Sequence, residues 1–171
     1  MSDVKMAEGS AWEFMLKECL PLFGHRNWIV VADAAYPSQA NPGIETIAAG
    51  VDQIDAVRTV SEAIGAYSHV RANIYTDLEI GFVSESDAPG ITPYRRQLDD
   101  LFPASTRNQL LHEEIIARLD LSARLFRILI VKTTMTLPYT SVFFELDCGY
   151  WGADAEARLR NAIEAFEVRG E

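Results

Sequence analysis

The run Trp28-Ile29-Val30-Val31-Ala32 constrains this chain more than any other feature. Five residues are too few for an ordinary helix. Their β-branched content, with no polar alternation, predicts a strand buried on both faces. Gly24 permits a tight turn into the strand. At the far end, Asp33 is followed by small residues and the pair Tyr36-Pro37, which bends the backbone away from the sheet. In open α/β sheets ligands meet the carboxyl ends of the strands. Asp33 falls at that end and His25 at the opposite one.

The rest of the chain supplies layers to cover such a strand. Ser10-Ala11-Trp12-Glu13 has the form of a capping box, and Trp12, Met15, Leu16, Cys19 and Leu20 recur at helical spacing up to Pro21. Ile44 to Ala49 reads as a second strand. After Asp52, residues Ile54, Val57 and Ile64 predict an amphipathic helix. Val70, Ala72 and Ile74 alternate with Arg71, Asn73 and Tyr75 as in a strand. Ser84 to Pro93 is loop-like, and a short helix with Leu98, Leu101 and Phe102 inward follows it, closed by Pro103.

Leu111, Ile115, Leu119 and Phe126 are spaced for a longer helix starting near Thr106, which feeds the β-branched run Ile128 to Val131. Val142 to Leu146 predicts another strand. Ala155, Leu159, Ile163 and Phe166 predict a C-terminal helix over about 153–168. Strands and helices mixed around one core point to a three-layer α/β/α fold with a mixed or mostly parallel central sheet, in a single domain over 1–171.

Charge and composition exclude several functions. A formal charge of −10 opposes binding to nucleic acid or an anionic membrane, since both recruit clustered Lys and Arg. No apolar run approaches the roughly 20 residues of a membrane span. With no cationic start leading into an apolar segment, and two cysteines, Cys19 and Cys148, a cytoplasmic location with reduced thiols is expected. The histidines at 25, 69 and 112 have none of the spacings of a zinc site, and the cysteines form no C-x-x-C pair. Nucleotide-binding glycine loops and a G-x-S-x-G elbow are also missing. No cofactor is expected.

The segment GHRNWIVVADAAYP, residues 24–37, resembles the first strand of the D-ribose pyranase / L-fucose mutarotase family, where a Gly-His pair, a short apolar strand, an Asp and a nearby Pro occur in that order. IETIAAGV, residues 44–51, is similar to the family's next segment. Pro138-Tyr139-Thr140-Ser141-Val142 is similar to its late Pro-Tyr-x-Asn segment. The resemblance spans roughly residues 10–151, weakly in the middle, and the helix beyond Trp151 is additional to it.

That resemblance implies a cofactor-free sugar mutarotase or pyranase of the same fold. Mutarotation removes the anomeric hydroxyl proton and protonates the ring oxygen, so it needs a proton donor and acceptor that works near neutral pH, which suits histidine. The family's Gly-His motif assigns this role to His25. From spacing alone, His25 reads first as a turn or helix-end residue, and the resemblance reverses that order. Asp33 matches the family's binding aspartate, and an ionised carboxylate can accept from two sugar hydroxyls. Without a ligand it reads as an Asx-turn residue.

Tyr139 offers an aromatic face and a phenol. Ser141 stands where family members carry Asn, so the preferred sugar is expected to differ. His112 is the nearest equivalent of a polar sugar-contacting residue ahead of the late helix, although aligning it requires an insertion of about five residues. A surface histidine is its plain alternative.

Extended chain between His25 and Asp33 separates them by on the order of 20 Å, too far to grip one monosaccharide. A pocket shared between subunits of a homo-oligomer resolves this, and the family's ring-like assemblies, decamers among them, imply the same. Glu145 and Asp147 alternate along a strand and share a face, either solvated or at a subunit contact. The competing expectation is a non-catalytic monosaccharide-binding or regulatory protein of the same fold.

Overall fold

The computed structural model describes residues 8–169. The elements run α1 (Glu8–Cys19), β1 (Trp28–Ala32), β2 (Ile44–Ala48), α2 (Gln53–Gly65), β3 (Val70–Asp77), α3 (Ile91–Leu101), β4 (Asn108–Leu110), α4 (His112–Ser122), β5 (Ile128–Lys132), β6 (Val142–Cys148) and α5 (Ala153–Arg169). Short 3-10 turns follow β3 and precede β4.

The six strands form one sheet in the order β2-β5-β1-β6-β3-β4. β1 pairs parallel with β5, β5 with β2, and β3 with β4; β6 alone runs antiparallel, between β1 and β3. The sheet is therefore mixed, with five strands pointing one way. All five residues of β1 are buried, as expected of a strand covered on both faces.

Side chains of β1 alternate between two cores. Ile29 and Val31 join a cluster with Trp12, Leu16, Val57, Val60 and Leu98, contributed by α1, α2 and α3. Trp28, Val30 and Ala32 face the other way, with Ile115 and Leu119 of α4. Helices thus cover both faces, giving three α/β/α layers. Neither cluster includes a residue of α5, whose Leu159, Ile163 and Phe166 are exposed.

Two predicted boundaries move. α1 begins at Glu8, so Ser10 lies inside the helix rather than at its cap. The long helix expected from Thr106 starts only at His112, because Asn108–Leu110 leave the helical path to pair with Tyr75, Thr76 and Asp77 at the sheet edge. Phe126 consequently falls beyond α4, and Leu111, expected inward, is exposed. Among the described residues, no helix is long and apolar enough to cross a membrane.

Candidate functional site

The strand directions bring the carboxyl ends of β1 and β3 to the same sheet edge as the start of β6. Val142 lies opposite Val31 on one side and Thr76 on the other, so Ser141 sits between the strand ends that carry Asp33 and Asp77. A buried amide holds this edge together. Gln53, fully buried at the start of α2, donates from Nε2 to the carbonyls of Val31 (3.0 Å) and Thr140 (2.9 Å), while its Oε1 accepts from Thr133 Oγ1 at 2.6 Å. Three strand ends are thereby fixed by one side chain, and Tyr94 adds a hydroxyl bond to Thr140 O at 2.7 Å.

A cleft of about 430 Å³ opens over this edge, lined by Asp33, Tyr36, Asp77, His112, Glu113 and Tyr139 among others. The Asp33 carboxylate accepts from the Ala35 N–H at 2.9 Å and from the Ser141 hydroxyl at 3.1 Å. It is at once an Asx-turn residue and a cleft-facing acid. Ser141 is 2% exposed and braces Asp33 from behind instead of lining the cleft.

Asp77 and His112 form the chemically notable pair. His112 Nδ1 lies 3.1 Å from Asp77 Oδ2, and the Glu79 carboxylate accepts the His112 N–H at 3.0 Å, serving as an outside cap for α4. Asp77 is 1% exposed, and burial pushes its carboxyl up to about 6, with the His112 interaction pulling the other way. Its second oxygen, Oδ1, is buried and has no partner among the described residues, as is the case for the Tyr36 hydroxyl. Burial also raises the Tyr36 phenol well above its ordinary value. The Tyr139 ring meets the His112 imidazole edge-on, with centroids 5.9 Å apart, from a backbone held at φ 57°, a left-handed conformation that bulky residues seldom adopt.

Of the five residues predicted for the site, Asp33, Tyr139 and His112 therefore share the cleft, and Ser141 stands behind it. His25 does not join them within one chain. It precedes β1 at the opposite sheet edge, 58% exposed at its side chain, with Nδ1 3.0 Å from Asp147 Oδ1 and with Nε2 accepting from Arg26 Nε at 3.2 Å. Arg71 of β3 completes this group, donating to Asp147 Oδ2 at 2.7 Å. Arg26 holds φ 77°. These residues border a hollow of about 670 Å³ beside Trp151 and the start of α5. His69 is structural, its ring Nε2 lying 3.2 and 3.0 Å from the carbonyls of Leu20 and Phe23.

Residue-by-residue reading of the sequence missed Asp77, Tyr36, Glu113 and Gln53. Tyr36 lies inside the 24–37 motif, where the sequence reads it only as the partner of Pro37 in a bend. Among the described residues, no three His, Cys, Asp or Glu side chains cluster so as to hold a metal ion.

No protein-family model matches the chain, and neither does any curated protein sequence. Solved structures do. RbsD of Bacillus subtilis, determined in complex with D-ribose, matches with a TM-score of 0.53 at 19% identity, covering 81% of this chain and 93% of that one. The fucose mutarotase of Streptococcus pneumoniae, in complex with L-fucose, matches with a TM-score of 0.53 at 22% identity, covering 85% and 98%. FucU of Bifidobacterium longum gives a TM-score of 0.51 at 10% identity, covering 78% and 93%. This chain has the fold of those proteins.

Proposed function

We propose that the protein is a cofactor-free sugar mutarotase or pyranase and that the cleft at the carboxyl ends of β1 and β3 receives the monosaccharide. The observation that carries this reading is the buried Asp77 hydrogen-bonded to His112 in the same cleft as Asp33. A carboxylate behind an imidazole fixes the ring's orientation and tautomer and leaves the far nitrogen free to exchange a proton with substrate. The ribose- and fucose-bound neighbours support a monosaccharide as the ligand.

In the reaction, a base takes the proton of the anomeric hydroxyl, the C1 carbonyl forms, and the bond from C1 to the ring oxygen breaks as that oxygen gains a proton. Closure on the other face reverses each step. His112 exchanges one of these protons. Asp33, held by Ser141, accepts from sugar hydroxyls, and Tyr139 covers an apolar face of the ring. The second acid–base group is His25 of another copy of the chain, since His25 and the cleft lie at opposite ends of β1. Asp147 orients that imidazole as Asp77 orients His112.

The test is ring-form and anomer exchange followed by NMR saturation transfer over a panel of aldoses that includes ribose and fucose. The wild type is compared with His112→Gln and His25→Ala. Acceleration by the wild type and its loss in both variants is the expected result. Ligand-induced shifts without acceleration for any sugar would make the chain a binding protein instead.

A further inference from the structure

α5 stands apart from the body it follows. Its first residues and Arg160 border the hollow beside His25, but every side chain from Ala157 to Val168 is exposed, and none belongs to either core cluster. A short helix alone in water is marginal, because nucleation is costly and each added residue gains little; helices persist by burying an apolar face. α5 carries such a face. Leu159, Ile163 and Phe166 recur at i, i+4 and i+7 along one stripe, all exposed, Phe166 to 79%. Glu164 and Glu167 each follow a residue of that stripe, so they lie together along one flank of it.

A groove of matching character lies at the same end of the sheet. β6 runs antiparallel to β1, so α5 leaves the sheet where β1 and β5 begin. There, two hollows of about 490 and 550 Å³ join through Leu125 and Phe126, in the turn between α4 and β5. Leu22, Leu121 and Leu125 line them and are all exposed, Leu125 to 82%. Contiguous exposed apolar surface of this kind marks an interaction site. Arg26, Arg124 and Arg127 border the groove, with Glu45 as its one acid. Among the described residues, none of those arginines is in an ion pair, and neither is Glu164 or Glu167.

We infer that α5 of one copy of this chain seats in the groove of a second copy. Leu159, Ile163 and Phe166 meet Leu22, Leu121 and Leu125, and the Glu164 and Glu167 flank runs along the arginines. No α5 residue lines the groove of its own chain, so stripe and groove are each unmatched until a second copy supplies the other. An amphipathic helix docks in an apolar groove through anchors at this i, i+4, i+7 spacing, and the opposed charges set its direction and register. The contact uses no residue of the sugar cleft, so it stands or falls independently of the catalytic reading.

The experiment compares the full-length wild type with a groove variant, Leu121→Glu with Leu125→Glu, and a helix variant, Ile163→Glu with Phe166→Glu. All four positions are at the surface, and unchanged melting of the core checks that both variants fold. Amide hydrogen exchange is followed along residues 157–168, and assembly size by sedimentation velocity. In the wild type, exchange along α5 is at least about tenfold slower than in the groove variant, although the groove variant leaves α5 itself unaltered. Each variant sediments more slowly than the wild type.

The two variants are then mixed, with only the groove variant isotopically labelled. Its α5 regains protection, because the helix variant supplies an intact groove. Equal exchange of α5 in the wild type and the groove variant would overturn the inference. Protection lost in the groove variant and not regained on mixing would seat α5 against its own chain, and would overturn the second copy as the occupant.

Discussion

The two ends of β1 carry the same pair of side chains in opposite surroundings. At the carboxyl end, Asp77 is buried behind His112, one of its oxygens has no partner among the described residues, and Gln53 locks the neighbouring strand ends. At the amino end, Asp147 holds His25 in the open and shares itself with Arg71, both partners being about half exposed. Burial is what separates the two. A buried pair exchanges protons in a dry, fixed geometry and carries a desolvation penalty, whereas an exposed pair is orienting and weak. On the proposed reading the carboxyl end is the catalytic half. On the same reading the amino end is the part presented to another copy.

The largest effect comes from His112. Its change to Gln keeps a hydrogen-bonding amide against Asp77 but removes the titrating ring, and ring-form exchange falls about 10²–10⁴-fold, the usual worth of a positioned acid–base group. If the ends of β1 meet across copies, mixing inactive His112→Gln with inactive His25→Ala restores up to about a quarter of the wild-type rate, because some mixed interfaces pair two intact ends. A His25→Ala variant with the full wild-type rate would sever the amino end from the chemistry altogether.

Next in size is Gln53, which has no counterpart at the amino end. Gln53→Ala removes one buried hydrogen bond from each of the Val31 carbonyl, the Thr140 carbonyl and the Thr133 hydroxyl, leaving Thr140 O to Tyr94 and Thr133 Oγ1 to Ala32 O, and empties a fully buried site. Unfolding stability drops by about 2–4 kcal/mol, seen as a lower urea midpoint at unchanged slope. A loss below about 0.5 kcal/mol would mean that the strand ends are held by backbone pairing alone.

How far the sequence discloses this asymmetry depends on the kind of interaction. β1, Asp33 and the distance from Asp33 to His25 are legible because they are local, resting on one apolar run and its flanking residues. Tyr139 and His112 reach the cleft from far along the chain, and only the resemblance linked them to it. Asp77 stays hidden because nothing marks the end of β3. Its last residues are paired by β4, three residues that the helical periodicity after Thr106 absorbs. Gln53, directly after the cap residue Asp52, reads as an ordinary solvated first-turn residue. Its buried role exists only once β1, β5 and β6 converge beneath it.

Acid titration sharpens the comparison because the two aspartates shift in opposite directions. Asp77 is raised from its ordinary 3.8 to about 6, chiefly by burial, with Glu79 and Asp33 adding and His112 opposing. The folded state then binds its proton more tightly than the unfolded chain, so this contribution to stability rises as the pH falls from about 6 toward 4. Asp147 is lowered, first by the Arg71 hydrogen bonds, then by the Cys148 N–H and His25. Its contribution is present above about 3.8 and is lost as the pH falls below that value. In melting temperatures between pH 3 and 7, the difference between wild type and Asp77→Asn changes in the upper window, and that for Asp147→Asn only in the lower one. Coincident windows would show that the two ends are not electrostatically distinct.

The smallest effect is the stability cost of Asp147→Asn at neutral pH. Asp147 keeps 24% of its side chain exposed, and its partners Arg71 and His25 keep 48% and 58%, so solvent screens each pair. The loss is about 0–1 kcal/mol and shrinks in high salt. The same substitution loosens the His25 ring, since an amide holds the imidazole less firmly than a carboxylate. Exchange activity then falls in kcat more than in sugar affinity, a split that a purely structural residue would not produce. If Asp147→Asn instead destabilised the fold by several kcal/mol, the amino end would be a buried, load-sharing part of the core like its counterpart, and the contrast between the two ends of β1 would collapse.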